Sequence, residues 1–344
     1  MQKHTTPSRK QQHVELCVND DVTFRRKTNG FERYEFIHNA LPECNFSDIS
    51  TVTEFLEYRC SMPLLISCMT GGYPDAERIN GDLAEICQTF NIPMGVGSQR
   101  QAIENSQYHR SFQIVREKAP SIPLLSNIGA PEVAKMKSSD DICRMIDLIK
   151  ADAMVIHLNP LQELLQPEGS PNFTGVLSGI EQLVRWLEIP IFVKEVGAGI
   201  SADVAKRLLS VGVKGIDVAG AGGTSWAGVE ILRNTEQETL SHYWDWGIPT
   251  AECVSQIKPL KTENNFTLVS SGGIQSAMEI ALSLALGADF CASARPMLKA
   301  LFTGGQNELS AQLNQLQLDL KRIMFLVGAV QIKQLQQVDI ISVS

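Results

Sequence analysis

Lys194 is the residue whose place in the sequence points most clearly to chemistry. It directly follows the apolar segment 189–193, so its ammonium group is expected at the end of a buried strand. A charge held there is partly desolvated and needs a partner. Two partners remain open: a neighbouring carboxylate such as Glu195, or an anion or electron-rich ring bound at the strand end.

A second group of polar residues follows the apolar segment 153–158. Asn159, Pro160 and Gln162 match a helix capping box, which would explain the Asn and the Gln without any chemistry. The capping box does not explain His157 or Glu163. An imidazole beside a carboxylate suits a polar substrate and Mg²⁺, which prefers carboxylate, water and phosphate oxygens.

Two glycine-rich segments, 214–228 and 271–274, each join a short apolar strand to bare backbone beside hydroxyl groups. Backbone N–H groups without side chains around them can approach a phosphate closely. The pair therefore predicts a phosphorylated cofactor.

Basic residues that could bind a phosphate occur at two further places. Arg9 and Lys10 lie near the N-terminus, where a solvated tail is the ordinary interpretation. Arg100 follows Ser98 and Gln99 after another apolar segment, and its guanidinium group suits a phosphate.

The elements that would position these residues alternate along the chain. Amphipathic helical segments separate the apolar ones, among them 77–90, 131–150, 174–188, 201–211 and 274–286. The eight apolar segments predicted as strands are 64–69, 92–96, 123–127, 153–158, 190–194, 214–218, 266–270 and 288–292. This alternation predicts an α/β fold, a (β/α)8 TIM barrel whose site lies at the C-terminal ends of the strands; an open doubly wound sheet is the alternative.

The flanking segments suggest two parts. Residues 1–62 are predicted to be an N-terminal extension, and 63–344 the barrel with a C-terminal helix. Within the second part, 306–335 has helical spacing and is expected to pack outside the barrel. Residues 223–247 are predicted to form a long loop, which in a compact domain is usually functional or disordered.

Composition excludes several classes of function. The chain has 344 residues and a net charge of −8, which argues against a broad nucleic-acid surface. Its eight cysteines show no metal-binding spacing and are expected to be free thiols in a reducing cytosol. No apolar run approaches the ~20 residues of a membrane span, and the polar start does not read as a secretion signal, so a cytoplasmic protein is expected.

Taken together, these segments resemble type 2 isopentenyl-diphosphate isomerase, the flavin-dependent family. The resemblance runs from about Arg9 to Leu298. The matching segments are Arg9-Lys10-x-x-His13, Met69-Thr70-Gly71-Gly72, Gly97-Ser98-Gln99-Arg100, His157-x-Asn159-x-x-Gln162-Glu163, Lys194-Glu195-Val196-Gly197, the glycine segment from Gly220 to Trp226, and Trp246-Gly-Ile-Pro-Thr250. Jointly they are specific, whereas the glycine pairs alone occur in other FMN barrels.

The resemblance implies reversible conversion of isopentenyl diphosphate to dimethylallyl diphosphate by a 1,3-proton shift. It implies reduced FMN as the proton carrier, NADPH as the reductant, Mg²⁺, and a homo-oligomer that is a tetramer or an octamer. The sequence agrees in one respect, since it shows no obvious acid–base pair for a hydrocarbon, and a cofactor would supply that chemistry.

The resemblance also implies a role for each matching residue. Lys194, His157 and Gln162 are expected to be catalytic, with Lys194 stabilising negative charge on the reduced flavin, and Glu163 is expected to bind Mg²⁺. With Lys194, the flavin-binding residues would be Cys68, Met69, Thr70, Ser98, Asn127, Thr224, Gly272, Gly273, Ser293 and Ala294. The substrate-binding residues would be Arg9, Lys10, Ser98, Gln99, Arg100, His157, Asn159 and Gln162, with the N-terminal pair closing as a lid.

Four positions depart from the family pattern. Gln11 and Gln12 stand where acidic residues are usual, Cys68 where Gly is common, and Ala219 where Ser is common. Two rival functions remain at this point. One is another FMN barrel enzyme such as a 2-hydroxy-acid oxidase, whose chemistry needs a His base and an Arg pair for a carboxylate. The other is a flavin-binding barrel without catalytic activity.

Overall fold

The computed structural model describes residues 6–234 and 237–343 and contains a closed barrel of eight parallel strands, β4 to β11. The strands follow one another around the barrel in chain order, and β11 closes it by pairing with β4. The strand bounds are β1 Tyr34–Phe36, β2 Thr53–Phe55, β3 Tyr58–Cys60, β4 Leu64–Ile66, β5 Met94–Gly95, β6 Leu124–Gly129, β7 Ala153–Leu158, β8 Ile191–Glu195, β9 Gly215–Asp217, β10 Thr267–Ser271, β11 Phe290–Ser293 and β12 Ile340–Ser342. Every predicted strand segment overlaps one barrel strand, so the (β/α)8 prediction is confirmed and the open sheet is excluded.

The helices surround the barrel. Their bounds are α1 Thr6–Asn19, α2 Ala76–Phe90, α3 Arg100–Glu104, α4 Arg110–Lys118, α5 Ala130–Val133, α6 Asp140–Ile149, α7 Pro160–Leu165, α8 Val176–Trp186, α9 Ala202–Ser210, α10 Trp226–Arg233, α11 Gln237–Leu240, α12 Thr250–Ile257, α13 Ala277–Leu286, α14 Arg295–Leu326 and α15 Ile332–Leu335. Short 3₁₀ turns lie at Phe31–Arg33, Phe46–Asp48, Ser106–Tyr108, Ser241–Tyr243 and Lys258–Thr262. Helix α14 breaks at Gly304 and Gly305, whose backbone angles are not helical.

Two sequence predictions about these elements were wrong. The helix predicted over 131–150 is two helices, α5 and α6. The Ser138 hydroxyl bonds locally to Asp140 there, a competition with the helix backbone that serines favour. The predicted long loop 223–247 contains α10, α11 and a 3₁₀ turn, because its apolar residues pack: Trp244 is buried in a cluster with Ala227 and Ile231.

The barrel is filled by apolar side chains from alternate strand positions. The hairpin β2–β3 closes its N-terminal end, where the Phe55 ring lies 4.8 Å from that of Phe290 and 5.8 Å from that of Phe192. A larger core lies between the barrel and its helices. Packing at the N-terminal end stabilises the fold and leaves the C-terminal end of the strands open for a site.

The N-terminal extension and the C-terminal end of the chain both pack against the barrel. Strand β1 pairs antiparallel with β12, which joins the two ends of the chain. Helix α14 packs against α2 and α13 outside the barrel, as predicted for the tail. Helix α1 crosses the barrel mouth, where Lys10 reaches the strand ends.

All eight cysteines are free in the structure, as predicted from their spacing. Among the described residues, the helices are too short or too polar to cross a membrane.

Candidate active site

A cavity of about 610 Å³ opens at the C-terminal ends of the barrel strands, beneath α1. Its size suits a cofactor or a small ligand. Ten residues that the sequence singled out line it: Lys10, Cys68, Met69, Thr70, Lys194, Thr224, Gly272, Gly273, Ser293 and Ala294. Most of the residues expected to bind flavin therefore lie on one surface, as their positions at the strand ends predict.

Lys194 is the buried cation of this cavity. Its side chain is 8% exposed, and Nζ donates a hydrogen bond of 2.6 Å to the main-chain carbonyl of Glu195. The Glu195 carboxylate instead accepts hydrogen bonds from the backbone N–H groups of Val196, Gly197 and Ala198. The direct ion pair with Glu195, left open from the sequence, is therefore not formed.

Asp217 is the other carboxylate that acts on Lys194. The two residues face each other on neighbouring strands β8 and β9. Burial raises the pKa of Asp217, and the Lys194 charge opposes that rise. The Asp217 carboxylate also accepts hydrogen bonds from the Ser271 hydroxyl and the Ala219 N–H group, which connects the cation to the second glycine loop.

The two glycine loops pack directly against each other. A Cβ atom on Gly223 would lie 2.4 Å from the N atom of Gly273, and one on Gly272 would lie 2.1 Å from the carbonyl oxygen of Gly220. From the sequence alone, these positions were expected to be glycine only because a phosphate approaches the backbone closely. The geometry gives a further reason, since only glycine lets these two backbones touch.

Cys68 and Thr70 follow β4, two strands away from the strand that precedes the second glycine loop, and they also line the cavity. Burial raises the pKa of the Cys68 thiol to about 11, so it stays protonated at neutral pH. The Thr70 hydroxyl donates to Asn80 Oδ1. Ser98 and Asn127 do not line the cavity; the Ser98 carbonyl accepts a bond from Lys10, and the Asn127 amide bonds to a histidine.

That histidine is His157, at the end of β7. Its Nδ1 lies 2.7 Å from Asn127 Oδ1. Burial lowers the pKa of His157 to about 3, helped by the positive charges of Lys194 and Lys10. The imidazole is therefore neutral in the free protein at pH 7. It is close enough to Lys194 and Lys10 for their positive charges to lower its pKa.

The segment after β7 is held together by its own side chains. Asn159 precedes α7, yet its side chain makes no capping bond; Nδ2 donates to Gln162 Oε1 at 3.3 Å and to Glu163 Oε1 at 3.0 Å. The capping-box alternative is therefore wrong. Among the described residues, Asn159 Oδ1 is buried without a partner. Glu163 Oε2 accepts the Ser170 N–H at 2.7 Å.

Arg100 lies at the edge of this segment, half-exposed and bonded to acidic residues. Its guanidinium lies 2.8 Å from Glu104 and 3.0 Å from Glu132. Gln99 points elsewhere: its Nε2 donates to the Met145 carbonyl, and its Oε1 accepts from Ser126 and from the Asn127 N–H. Because its amide is fully used inside the fold, the geometry gives no support to substrate binding by Gln99.

Lys10 connects helix α1 to the barrel. Its Nζ donates bonds of 2.6 Å to the carbonyls of Gly71 and Ser98. Burial, together with the positive charge of the neighbouring Arg9, lowers the pKa of Lys10 to about 7. Arg9 forms no hydrogen bond or ion pair with the part of the chain that the structure describes, and it does not line the cavity.

Glu230 was missed by the sequence analysis. It is fully buried on α10, where its carboxylate lies 2.9 Å from His13 Nε2 and accepts a 3.0 Å bond from Gln162 Nε2. Arg233 Nη1 lies 2.5 Å from it. Burial raises the pKa of Glu230, but His13 and Arg233 lower it by more. The signal that the sequence offered for it is its position as a single charged residue within the otherwise apolar segment 226–232.

Comparison with known proteins identifies the family. The family model described as FMN-dependent dehydrogenase matches residues 2–130 and 153–342. An isopentenyl-diphosphate delta-isomerase from Pelodictyon phaeoclathratiforme is 48% identical over 98% of this chain and 97% of its own length. The isomerase of the same name from a Nostoc strain is 42% identical, over 96% and 94% respectively.

Solved structures show the same fold at low identity. A flavocytochrome b2 variant superposes with a TM-score of 0.70 at 18% identity, covering 95% of this chain and 82% of its own. A mandelate oxidase variant superposes with a TM-score of 0.66 at 15% identity, covering 95% of both chains. The chain therefore belongs to the FMN-dependent dehydrogenase family and, within it, to the isopentenyl-diphosphate delta-isomerases.

Proposed function

We propose that the protein interconverts isopentenyl diphosphate and dimethylallyl diphosphate by a 1,3-proton shift that requires reduced FMN. Full-length relatives carry the name of this activity, and the family model is that of FMN-dependent enzymes. The observation that carries the proposal is the position of Lys194. It is buried in a cavity lined on one side by the glycine loops, and its charge acts on His157 at the neighbouring strand end.

The residues of the cavity fit FMN. The glycine loops, with Thr224, Ser293 and Ala294, offer backbone N–H groups and hydroxyls for a phosphate and its ribityl chain. Cys68 and Met69 offer an apolar wall for a ring. Lys194 supplies the positive charge that stabilises an electron-rich ring.

When bound, reduced FMN supplies the proton donor and acceptor for the allylic shift. Lys194 holds positive charge beside it. His157, which is neutral in the free protein because burial lowers its pKa to about 3, would orient the substrate by hydrogen bonding. Gln162 is fixed by Glu230 and orients the substrate without titrating at neutral pH.

The diphosphate is proposed to bind beside this cavity, between α1 and the ends of β5 and β7. Arg9, Lys10 and Arg100 supply positive charge, and His157, Ser98, Asn159 and Gln162 are the proposed hydrogen-bonding groups. Arg100 must exchange at least one carboxylate partner for a phosphate oxygen. Gln99 would support this site only indirectly, because its backbone N–H donates to the Asn127 carbonyl and its side chain is bonded inside the fold.

Mg²⁺ is proposed to bind through Glu163. Among the described residues, no group of three or more His, Cys, Asp or Glu side chains could hold a metal. This suits Mg²⁺, which commonly uses one or two carboxylates with phosphate and water oxygens. NADPH as the reductant, a cytoplasmic location and a tetrameric or octameric homo-oligomer complete the proposal.

The oxidase alternative finds little support in the side chains. A 2-hydroxy-acid oxidase needs a basic imidazole, whereas burial lowers the pKa of His157 to about 3, and the full-length relatives are named as isomerases. The test is an anaerobic assay with isopentenyl diphosphate, FMN, Mg²⁺ and dithionite. Formation of dimethylallyl diphosphate is expected. A flavin-loaded protein that forms none in this assay, yet consumes O₂ with a 2-hydroxy acid in a parallel aerobic assay, would overturn the proposal in favour of the oxidase.

A further inference from the structure

A strap formed by residues 22–29 of the N-terminal extension lies along both glycine loops. Its Thr23 forms an antiparallel bridge with Thr224, and the Ser225 N–H donates to the Val22 carbonyl at 2.7 Å. The strap is fastened beyond the loops as well, because Trp244 Nε1 donates to the Thr23 carbonyl at 2.8 Å. The loops are thus part of a three-segment structure.

Asn29 is the residue of the strap that reaches the second loop. It is buried, and its Nδ2 donates a 2.9 Å bond to the Gly273 carbonyl and a 2.6 Å bond to Glu279 Oε1. Its own carbonyl accepts the Ala251 N–H at 2.9 Å. A Cβ atom on Gly222 would lie 2.1 Å from the Asn29 N atom, so the first loop touches the same residue.

Glu279 carries the contact into the barrel. It is the third residue of the capping box that begins α13, where its Oε2 accepts the N–H groups of Gln275 and Ser276 at 2.7 and 2.8 Å. These residues directly follow the second glycine loop. Asn29 therefore bonds both to the loop and to the carboxylate that fixes its end.

We propose that Asn29 is a positioning residue that holds the two glycine loops in the geometry required for the FMN phosphate. This inference rests on the proposed flavin site. Both loops border the cavity, at Gly223 and at Gly273. A site that binds a phosphate through hydrogen-bond donors loses affinity when those donors are displaced. We therefore expect Asn29 to affect binding of the FMN phosphate and not binding of the flavin ring.

The test compares binding of FMN with binding of riboflavin, which lacks the phosphate, to the apoprotein by flavin fluorescence. Asn29→Ala removes both donated bonds and is expected to weaken FMN binding about tenfold, with riboflavin binding changed less than about twofold. Asn29→Asp is expected to lose more, because a second carboxylate would face Glu279. Thr28→Ala is the matched control, since Thr28 is exposed and its hydroxyl bonds only to Gly30 and Glu32, which are close to it in the chain and lie outside the glycine loops.

A second variant guards against misfolding of the strap. Glu279→Gln reaches the same contact from the barrel side and leaves the strap sequence intact, and it is expected to reduce FMN binding in the same phosphate-selective way. Equal loss of FMN and riboflavin binding, or unchanged FMN binding in Asn29→Ala and Glu279→Gln, would overturn the inference. Absence of FMN binding by the unmodified protein would instead overturn the proposed flavin site itself.

Discussion

The proposed site has two halves: a flavin half, which is the cavity beside the glycine loops, and a diphosphate half, which is the segment after β7 together with Arg100. The two halves differ in how many of their polar groups already bond to one another without a ligand. The flavin half is an open cavity whose lining residues face its interior, with Lys194 buried at its wall. In the diphosphate half, the polar groups bond to one another: Asn159 to Glu163, Gln162 to Glu230, and Arg100 to Glu132. The proposed cofactor site is therefore open as it stands, whereas binding at the proposed diphosphate site would have to exchange existing contacts.

The comparison predicts different outcomes for variants of the two halves. In the flavin half, Lys194→Ala should lower kcat about a thousandfold, because positive charge beside the reduced ring is lost. FMN should remain bound, since the glycine loops are untouched. Lys214→Ala, an exposed lysine before β9, is the matched control. Normal turnover by a Lys194→Ala protein with FMN bound would remove the catalytic role of this charge.

In the diphosphate half, Glu163→Gln should raise the Mg²⁺ concentration needed for half-maximal activity about thirtyfold, because a charged ligand becomes a neutral one. A Mg²⁺ titration at saturating substrate measures this, with the exposed Glu188→Gln as the control. FMN affinity should be unchanged. If the titration does not shift, the metal role of Glu163 is wrong.

The pKa of Lys10 predicts a pH dependence confined to the diphosphate half. Burial lowers this pKa to about 7, so Lys10 is charged below pH 7 and neutral above it. The value of kcat/KM should therefore fall about tenfold from pH 7 to pH 9, as the charge that attracts the diphosphate is lost. Lys10→Arg should flatten the profile. An unchanged slope in that variant would assign the titration to another group.

Arg9→Ala should have the smallest effect, a rise of about fivefold in the substrate KM, because the side chain does not line the cavity and is proposed to gain a partner only in the bound diphosphate. Steady-state kinetics with Arg26→Ala as an exposed control measures this. An unaltered KM would leave Arg9 in the solvated tail.

The sequence predicted the barrel well, because strand periodicity and the strand-end rule depend on local pattern. Ten of the predicted site residues line the cavity, and their roles in binding flavin stay predictions. It could not predict which way a strand-end side chain points: Lys194 faces the cavity, whereas Gln99 is bonded inside the fold. It also missed Glu230 and Asn29, whose partners are far away in the chain. Such long-range polar contacts leave no periodic signal.

We propose that the flavin enables isomerisation without net consumption of reducing equivalents. The most direct measurement is the ratio of dimethylallyl diphosphate formed to NADPH oxidised, under anaerobic conditions with FMN and Mg²⁺. We expect many molecules of dimethylallyl diphosphate for each NADPH oxidised, since one reduction of the flavin should support repeated turnover. A ratio of one product per NADPH oxidised, or NADPH oxidation without dimethylallyl diphosphate, would contradict it.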